Sequence, residues 1–419
     1  MKSIALGVLL ALAAAGSAQA QTSSVYDLLG PGLPAGHFNL YPSVSYEYMY
    51  DDNILFMSTD LPGSVPVASG VNVLRARFLA DLPLRDGRVR MLYAPFFRSY
   101  TNDRFVPEDQ INQVLGVEGT FHQSGRVSMG LRDDYAKGTL SLQEQVVRNG
   151  VPFGLGHYEV HNPRMDVGVH VGLRQGFSIL PSYSHSAFSG LVSGFGQAVD
   201  YGYTTKAIEG RYNYSLGLPT TVYLYSVLDR TLQTVSDAPD VTIRSNTVGL
   251  GLTRTLHELV VTQVSVGYET MQFDGGVGED FAGPVGEANV SWEVANLNRI
   301  NVSVLRRPYA SIYLDSNYYL ATAGQLRWIR QLWRSSYLDT VATIQQSDFV
   351  PVQGVGRQER LIRLEAGIGH EFLRHLRGYA GFNVEQRDSN VVQMTGGAGA
   401  DPFNYQLHRF IFRIEAGWM

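Results

Sequence analysis

From Phe410 onward the residues alternate. Phe410, Phe412, Ile414, Ala416 and Trp418 fall on one side, with Arg409, Arg413, Glu415 and Gly417 on the other. Successive side chains of a strand point to opposite faces, so this segment has an aromatic face and a charged face. That division suits a wall with lipid on one side and water on the other. The same rhythm runs along most of the chain. Val44, Tyr46, Tyr48 and Tyr50 oppose Ser45 and Glu47, and Leu74, Ala76, Phe78 and Ala80 oppose Arg75, Arg77 and Asp81. Val89, Met91, Tyr93 and Phe97 oppose Arg88, Arg90 and Arg98, and Val127, Met129 and Leu131 oppose Arg126, Arg132 and Asp134. Further on, Val264, Val266 and Tyr268 oppose Gln263 and Glu269, and Ala288, Val290, Trp292 and Val294 oppose Glu287, Asn289, Ser291 and Glu293. In Tyr201–Tyr214 and Thr221–Leu232 the pattern does not say which face is which.

Tight turns such as Arg85-Asp86-Gly87 and Gln123-Ser124-Gly125 alternate with long polar links such as 52–70 and 137–156. Asp-Gly is a strong hairpin signal. The reading is an all-β fold: a single transmembrane antiparallel barrel of about eighteen strands, each near the 9–11 residues that cross a bilayer. Its short turns face the periplasm and its longer loops the outside. An even strand count puts both termini in the periplasm.

The first residues suggest export. Lys2, an apolar run over 4–15 and the small-x-small site Ala18-Gln19-Ala20 predict a signal peptide over 1–20. Residues 21–36, rich in Pro and Gly, predict a periplasmic lead-in, and 37–419 the barrel in the outer membrane of a Gram-negative bacterium. The chain has no cysteine, which removes disulfides and thiolate chemistry. Its net charge of −5 argues against nucleic acid as a partner. Mean hydropathy is −0.07 although the chain carries 24 Tyr and 19 Phe, as expected when outward apolar residues alternate with inward polar ones.

The segment Gly36-His37-Phe38-Asn39-Leu40-Tyr41-Pro42-Ser43, followed by Tyr50-Asp51-Asp52-Asn53-Ile54, resembles the opening of the putative beta-barrel porin type 2 family. There a Phe-x-Leu-x-Pro stretch opens the first strand and Tyr-Asp-Asp-Asn ends it. Members are outer-membrane barrels whose relatives often accompany exopolysaccharide synthesis and export. The resemblance therefore implies a polysaccharide conduit and a synthesis or export complex as partner.

The expected function is a porin-like channel for polar solutes, the alternative being a non-conducting structural or surface-interaction barrel. Expected pore-lining residues are Arg75, Arg77, Arg88, Arg90, Arg98, Arg126, Arg132, Glu269, Glu287, Glu293, Arg363, Glu365, Arg413 and Glu415. Basic early strands would face acidic later ones across the lumen. In the link after residue 137, Leu142, Glu144, Val146 and Arg148 are expected to narrow the pore as a short amphipathic helical turn. Tyr46, Tyr48, Trp292, Trp328 and Trp418 are expected at the membrane interfaces, Trp418 also serving the barrel assembly machinery. Other expected partners are outer-membrane lipid and lipopolysaccharide. The Asp51-Asp52-Asn53 run reads as a hydrogen-bonded turn rather than a calcium site. His157 and His161 lie at a strand start and not on a helix, so no metal pair is expected. No G-x-S-x-G elbow or phosphate-cradling loop occurs. Neither catalysis nor a cofactor is expected.

Overall fold

The computed structural model describes residues 33–417 except 55–57, 59–64, 103–109, 123–124, 140–145, 149–150, 155–156, 194–197, 218, 236–238, 257–258, 275–278, 295–297, 312–315, 352–355, 391–392, 396–397 and 401–403. The expected signal peptide, most of the lead-in, and Leu142, Glu144 and Trp418 lie outside the described residues.

The architecture is a closed antiparallel barrel of 18 strands. In chain order the strands are β1 (Phe38–Asp51), β2 (Ser69–Leu84), β3 (Gly87–Tyr100), β4 (Gln110–Phe121), β5 (Val127–Thr139) and β6 (His157–Val171). Next come β7 (Gln175–Ser193), β8 (Ala198–Gly217), β9 (Thr220–Val235), β10 (Val241–Leu256), β11 (Val260–Asp274) and β12 (Phe281–Val294). The last are β13 (Asn298–Ala310), β14 (Ser316–Trp333), β15 (Ser336–Pro351), β16 (Gln358–Leu373), β17 (Leu376–Ser389) and β18 (Tyr405–Gly417). Each strand pairs with its sequence neighbours, and β1 closes the cylinder on β18 from Ser43↔Gly417 to Asp51↔Arg409. No helix occurs among the described residues.

Closure follows from backbone chemistry. An amide left unpaired in hydrocarbon costs several kcal/mol, so a spanning sheet cannot keep an open edge. Below Ser43 the first strand outruns the paired part of β18. There Leu33–Ala35 folds back on it, Leu33 opposite Leu40 and Ala35 opposite Phe38. The reversal turns on Gly36, whose φ of 65° a side chain would strain. Part of the expected lead-in thus covers the sheet edge at the seam.

Residues 85–86, 172–174, 218–219, 334–335 and 374–375 make tight connections at one end, and the longest ones, 52–68, 140–156 and 390–404, lie at the other. The expected alternation is not strict, since 194–197 at the long-loop end is shorter than 122–126 at the tight-turn end. The strands are longer than a bare crossing requires, from 12 residues in β4 to 20 in β8. Strands tilted by about 35–45° cross an apolar band about 25 Å tall in roughly ten residues, so the longest ones project beyond it.

The faces fall as the alternation predicts. Val44, Tyr46, Tyr48, Tyr50, Leu74, Phe78, Met91, Tyr93, Phe410, Phe412 and Ile414 are all exposed on the outside. The residues between them point inward. Register also settles the two ambiguous strands. Ile208, Leu224 and Leu228 are exposed outward, while Tyr201, Tyr203, Tyr223 and Val227 are buried inward. Trp292 and Trp328 lie outward in one cross-strand row with Ile300, near the tight-turn end. Tyr46 and Tyr48 lie outward toward the opposite end, where the Tyr46 hydroxyl donates to Asn72 Oδ1 at 2.6 Å.

The two faces should answer differently to charge. Leu250, outward at mid-strand and 61% exposed, should tolerate arginine poorly. Leu250→Arg is expected to cost about 2–4 kcal/mol, the penalty for a cation near the bilayer midplane. Gln325→Lys, on the inner face, should stay within about 0.5 kcal/mol. Urea titration of the folded fraction in lipid checks both.

Candidate functional site: the charged lumen wall

The inner face is lined by ionic groups that the period-two pattern carries there strand after strand. They lie against the wall in pairs. Glu47 on β1 is 3% exposed; Arg413 Nε of β18 donates to it at 2.6 Å, and Arg75 of β2 stands 3.5 Å away. Asp51 accepts from Arg409 at 2.6 Å, again across the seam. At the tight-turn end Asp81 accepts from Arg88 Nη2 at 2.6 Å, and Arg90 lies 3.8 Å from both Asp81 and Glu118.

The same arrangement continues around the cylinder. Arg132 pairs with Asp134 at 2.6 Å, Arg299 with Glu293, and Arg327 with Asp339 at 2.6 Å. Arg307 donates to Glu269 at 3.1 Å, and the Ser245 hydroxyl donates to the other oxygen of that carboxylate at 2.9 Å. Arg363 pairs with Glu385, which also accepts from the Tyr405 hydroxyl at 2.7 Å. Arg377 stands 3.6 Å from Glu415, and the Tyr379 hydroxyl donates to Glu365 at 3.4 Å. Glu287 accepts from Asn289.

Thirteen of the expected lining residues therefore lie on inward positions. Arg126 differs: it sits in the turn before β5, exposed at the rim. Their arrangement also differs from expectation. Basic early strands do not face acidic later ones across open space, because each arginine cluster has carboxylates on its own or adjacent strands. The physical reason is desolvation. A charge lying against a half-buried wall needs a counter-charge within a few ångströms, closer than the opposite wall. Parity already put Glu47 and Asp81 on the inner face; Asp339, Glu385 and Arg307 needed the register.

Tyrosines supply a second inner-face feature. A Cβ on Gly251 would come within 2.0 Å of the Tyr223 ring, and one on Gly369 within 2.1 Å of the Tyr337 ring. The rings lie flat over bare backbone of the next strand, so glycine there makes room for an aromatic wall. Beside them Glu209, Arg211, Tyr225, Glu287 and Arg307 line a cleft on the β8–β13 side. Toward the long-loop end the inner face turns apolar. Ile54, Val71, Val73 and Tyr100 form one buried cluster, and Ile243, Met271, Phe281 and Val285 another, on which Tyr318 of the β13–β14 hairpin packs.

The expected constriction is corrected in its described part. Val146–Arg148 is a strand, not a helical turn, and pairs with Val151–Gly154. Gly154 and Phe153 then pair with Val192 and Ser193 of β7, so this hairpin extends the wall. An unpaired β7 edge offers backbone hydrogen bonds that a helical turn inside the lumen would forgo. Asp51-Asp52-Asn53 is a hydrogen-bonded turn: the Asn53 amide donates to Asp51 Oδ1 at 2.9 Å, and Asp52 contacts the His408 ring at 2.7 Å. No group of three metal-binding side chains occurs among the described residues.

The Glu47 cluster lends itself to measurement. Glu47→Ala leaves Arg75 and Arg413 facing each other without their carboxylate and is expected to cost about 3–5 kcal/mol, as for other broken buried pairs. Adding Arg413→Ala should cost less than the sum of the single changes. Unfolding of the three variants in urea checks the cycle.

Among solved structures the fold is similar to the outer membrane protein OpdK of Pseudomonas aeruginosa, at 10% identity over 91% of this chain and 99% of that one, with a TM-score of 0.48. It is also similar to the siderophore receptor PiuA of Acinetobacter baumannii, at 7% identity over 92% of this chain and 82% of that one, with a TM-score of 0.48. Likeness at this level is one of fold, and the cargo of those proteins does not transfer. No curated protein matches the chain. Residues 198–396 match the model of the family described as putative beta-barrel porin 2, a stretch separate from the opening motif at 36–54. With that match, a closed cylinder, an apolar outer face and a charged inner one, the chain is a porin-like outer-membrane β-barrel.

Proposed function

We propose that the protein is a non-enzymatic channel for polar solutes, with both chain ends and the tight turns on the periplasmic side and the long loops outside. The observation that carries the channel reading is the width of the barrel relative to its side chains. Strands about 4.8 Å apart and tilted by about 35–45° give an 18-stranded cylinder a backbone radius of about 18 Å. The inward arginines and glutamates are drawn against the wall by their partners rather than extended toward the axis, and barrels of this strand number leave an aqueous lumen. The orientation is supported by the alternation of tight turns with long loops, the pattern of outer-membrane barrels.

The cargo we favour is an exported polysaccharide. Its support is the likeness of the opening segment to a family whose relatives accompany exopolysaccharide systems. The chemistry of the wall is compatible with it. Paired charges offer hydrogen bonds in both senses without a strong field of one sign, and flat tyrosine faces suit sugar rings. The apolar clusters at the long-loop end favour a second reading, a barrel narrowed there and acting as a surface or structural protein.

Reconstitution in planar bilayers separates the two. The channel reading expects stepwise conductance from the folded protein, reduced by added neutral oligosaccharides. Folded protein that inserts without conductance would leave the structural reading. Arg132→Glu, at a lumen position 45% exposed, should shift the conducting form toward cations.

A further inference from the structure

The outer face carries one row that its apolar surroundings do not explain. Lys206 on β8 lies directly opposite Arg230 on β9, and Arg230 directly opposite Arg244 on β10. All three are exposed and point away from the lumen, as Ile208, Leu228 and Val248 do on the same strands. Like charges in direct cross-strand register repel at Cβ separations of about 4.5–5.5 Å. Arg244 is held by Asp274 at 2.7 Å. No carboxylate pairs with Lys206 or Arg230 among the described residues. Elsewhere on the outer face Lys137 faces Glu159 at 3.6 Å and Arg360 faces Asp388, while Arg306 stands singly between Gly286 and Thr322 and belongs to no cationic row.

Height supplies the second observation. Counted from the tight-turn ends at Gly217, Thr220 and Leu256, Lys206, Arg230 and Arg244 lie 11, 10 and 12 residues up their strands. At about 3.3 Å per residue and a tilt of about 40°, that is roughly 25–30 Å, the upper edge of an apolar band about 25 Å tall. Below them Ile208, Leu224, Leu228, Val248 and Leu250 are exposed and apolar. A cationic row over a greasy strip matches a lipid with phosphate above and acyl chains below.

We propose that Lys206, Arg230 and Arg244 form a clasp for the phosphate of an outer-leaflet glycolipid, the phosphorylated lipid anchor of lipopolysaccharide. The guanidinium of Arg230 offers a planar fork to phosphate oxygens, and Lys206 adds a point charge beside it. Asp274 orients Arg244 without neutralising the other two. The acyl chains run down the strip below. The assignment rests on the orientation proposed above, with the long-loop end outside.

Native mass spectrometry of the full chain in mild detergent tests it. The probes are bis-phosphorylated lipid A, the same lipid dephosphorylated, and phosphatidylglycerol. The wild type should retain bis-phosphorylated lipid A and hold the other two at background. Lys206→Gln with Arg230→Gln should lower that retention about tenfold or more, as expected for two lost charge-assisted contacts. Lys206→Arg should keep it. Both side chains face away from the lumen, so the double variant should keep its heat-dependent gel shift and its conductance. A wild type that retains lipid A but does not conduct would sink the channel and leave the clasp. Equal lipid A retention by wild type and double variant, or equal retention of phosphatidylglycerol by the wild type, would overturn the clasp.

Discussion

The pairing of the first barrel strand with the last is the constraint on which the rest depends. Within hydrocarbon the backbone has no water to bond, so the sheet is stable there only as a complete cylinder. The seam runs from Ser43↔Gly417 to Asp51↔Arg409. Its inner face is tied by Arg413 to Glu47 and by Arg409 to Asp51, and its outer face is apolar, with Val44, Tyr46, Phe412 and Ile414 exposed. The fold-back of Leu33–Ala35 covers the stretch of β1 that the paired part of β18 does not reach. Hydrogen bonding, charge pairing and lipid contact thus meet on the same few residues.

Closure makes the inner-face chemistry possible. A strand that must present apolar groups to lipid at every second position is free to carry charge at the others, provided those face a wetted space. That freedom is bounded by the wall itself. Glu47, Glu269 and Glu385 are almost fully covered and each has an arginine partner. Tyrosines lie down where the neighbouring strand offers glycine, as Tyr223 does over Gly251. The wall is therefore laterally bonded and close to charge balance along its surface, while polar enough to hold water.

Much of this was legible in the chain. Alternation from Phe410 to Ile414 and from Val44 to Tyr50 shows which residues face lipid, because the side-chain period of a strand is two. Tight turns such as Arg85-Asp86-Gly87 set the order of hairpins. What period two does not carry is register. That Arg363 meets Glu385, or Arg307 meets Glu269, depends on how far adjacent strands are offset, and loop lengths alone do not set this. For the same reason facing basic and acidic walls were expected where neighbouring strands hold mixed pairs. Tyr201–Tyr214 and Thr221–Leu232 resisted reading because tyrosine serves either face, the ring against lipid or against a glycine in the lumen. The helical turn expected around Val146 failed because an exposed sheet edge on β7 competes for the same backbone.

The most direct test of the closed cylinder uses the absence of native cysteine. Val44 and Ala416 are cross-strand neighbours at the seam, one near the start of β1 and the other near the end of β18. With Val44→Cys and Ala416→Cys introduced together, a short thiol-reactive cross-linker applied to the membrane-embedded protein should join the two positions and give a circular species of altered gel mobility. Failure to join them, in protein where Tyr46→Cys and Leu74→Cys on the adjacent β1–β2 pair do cross-link, would mean that the first and last strands do not meet.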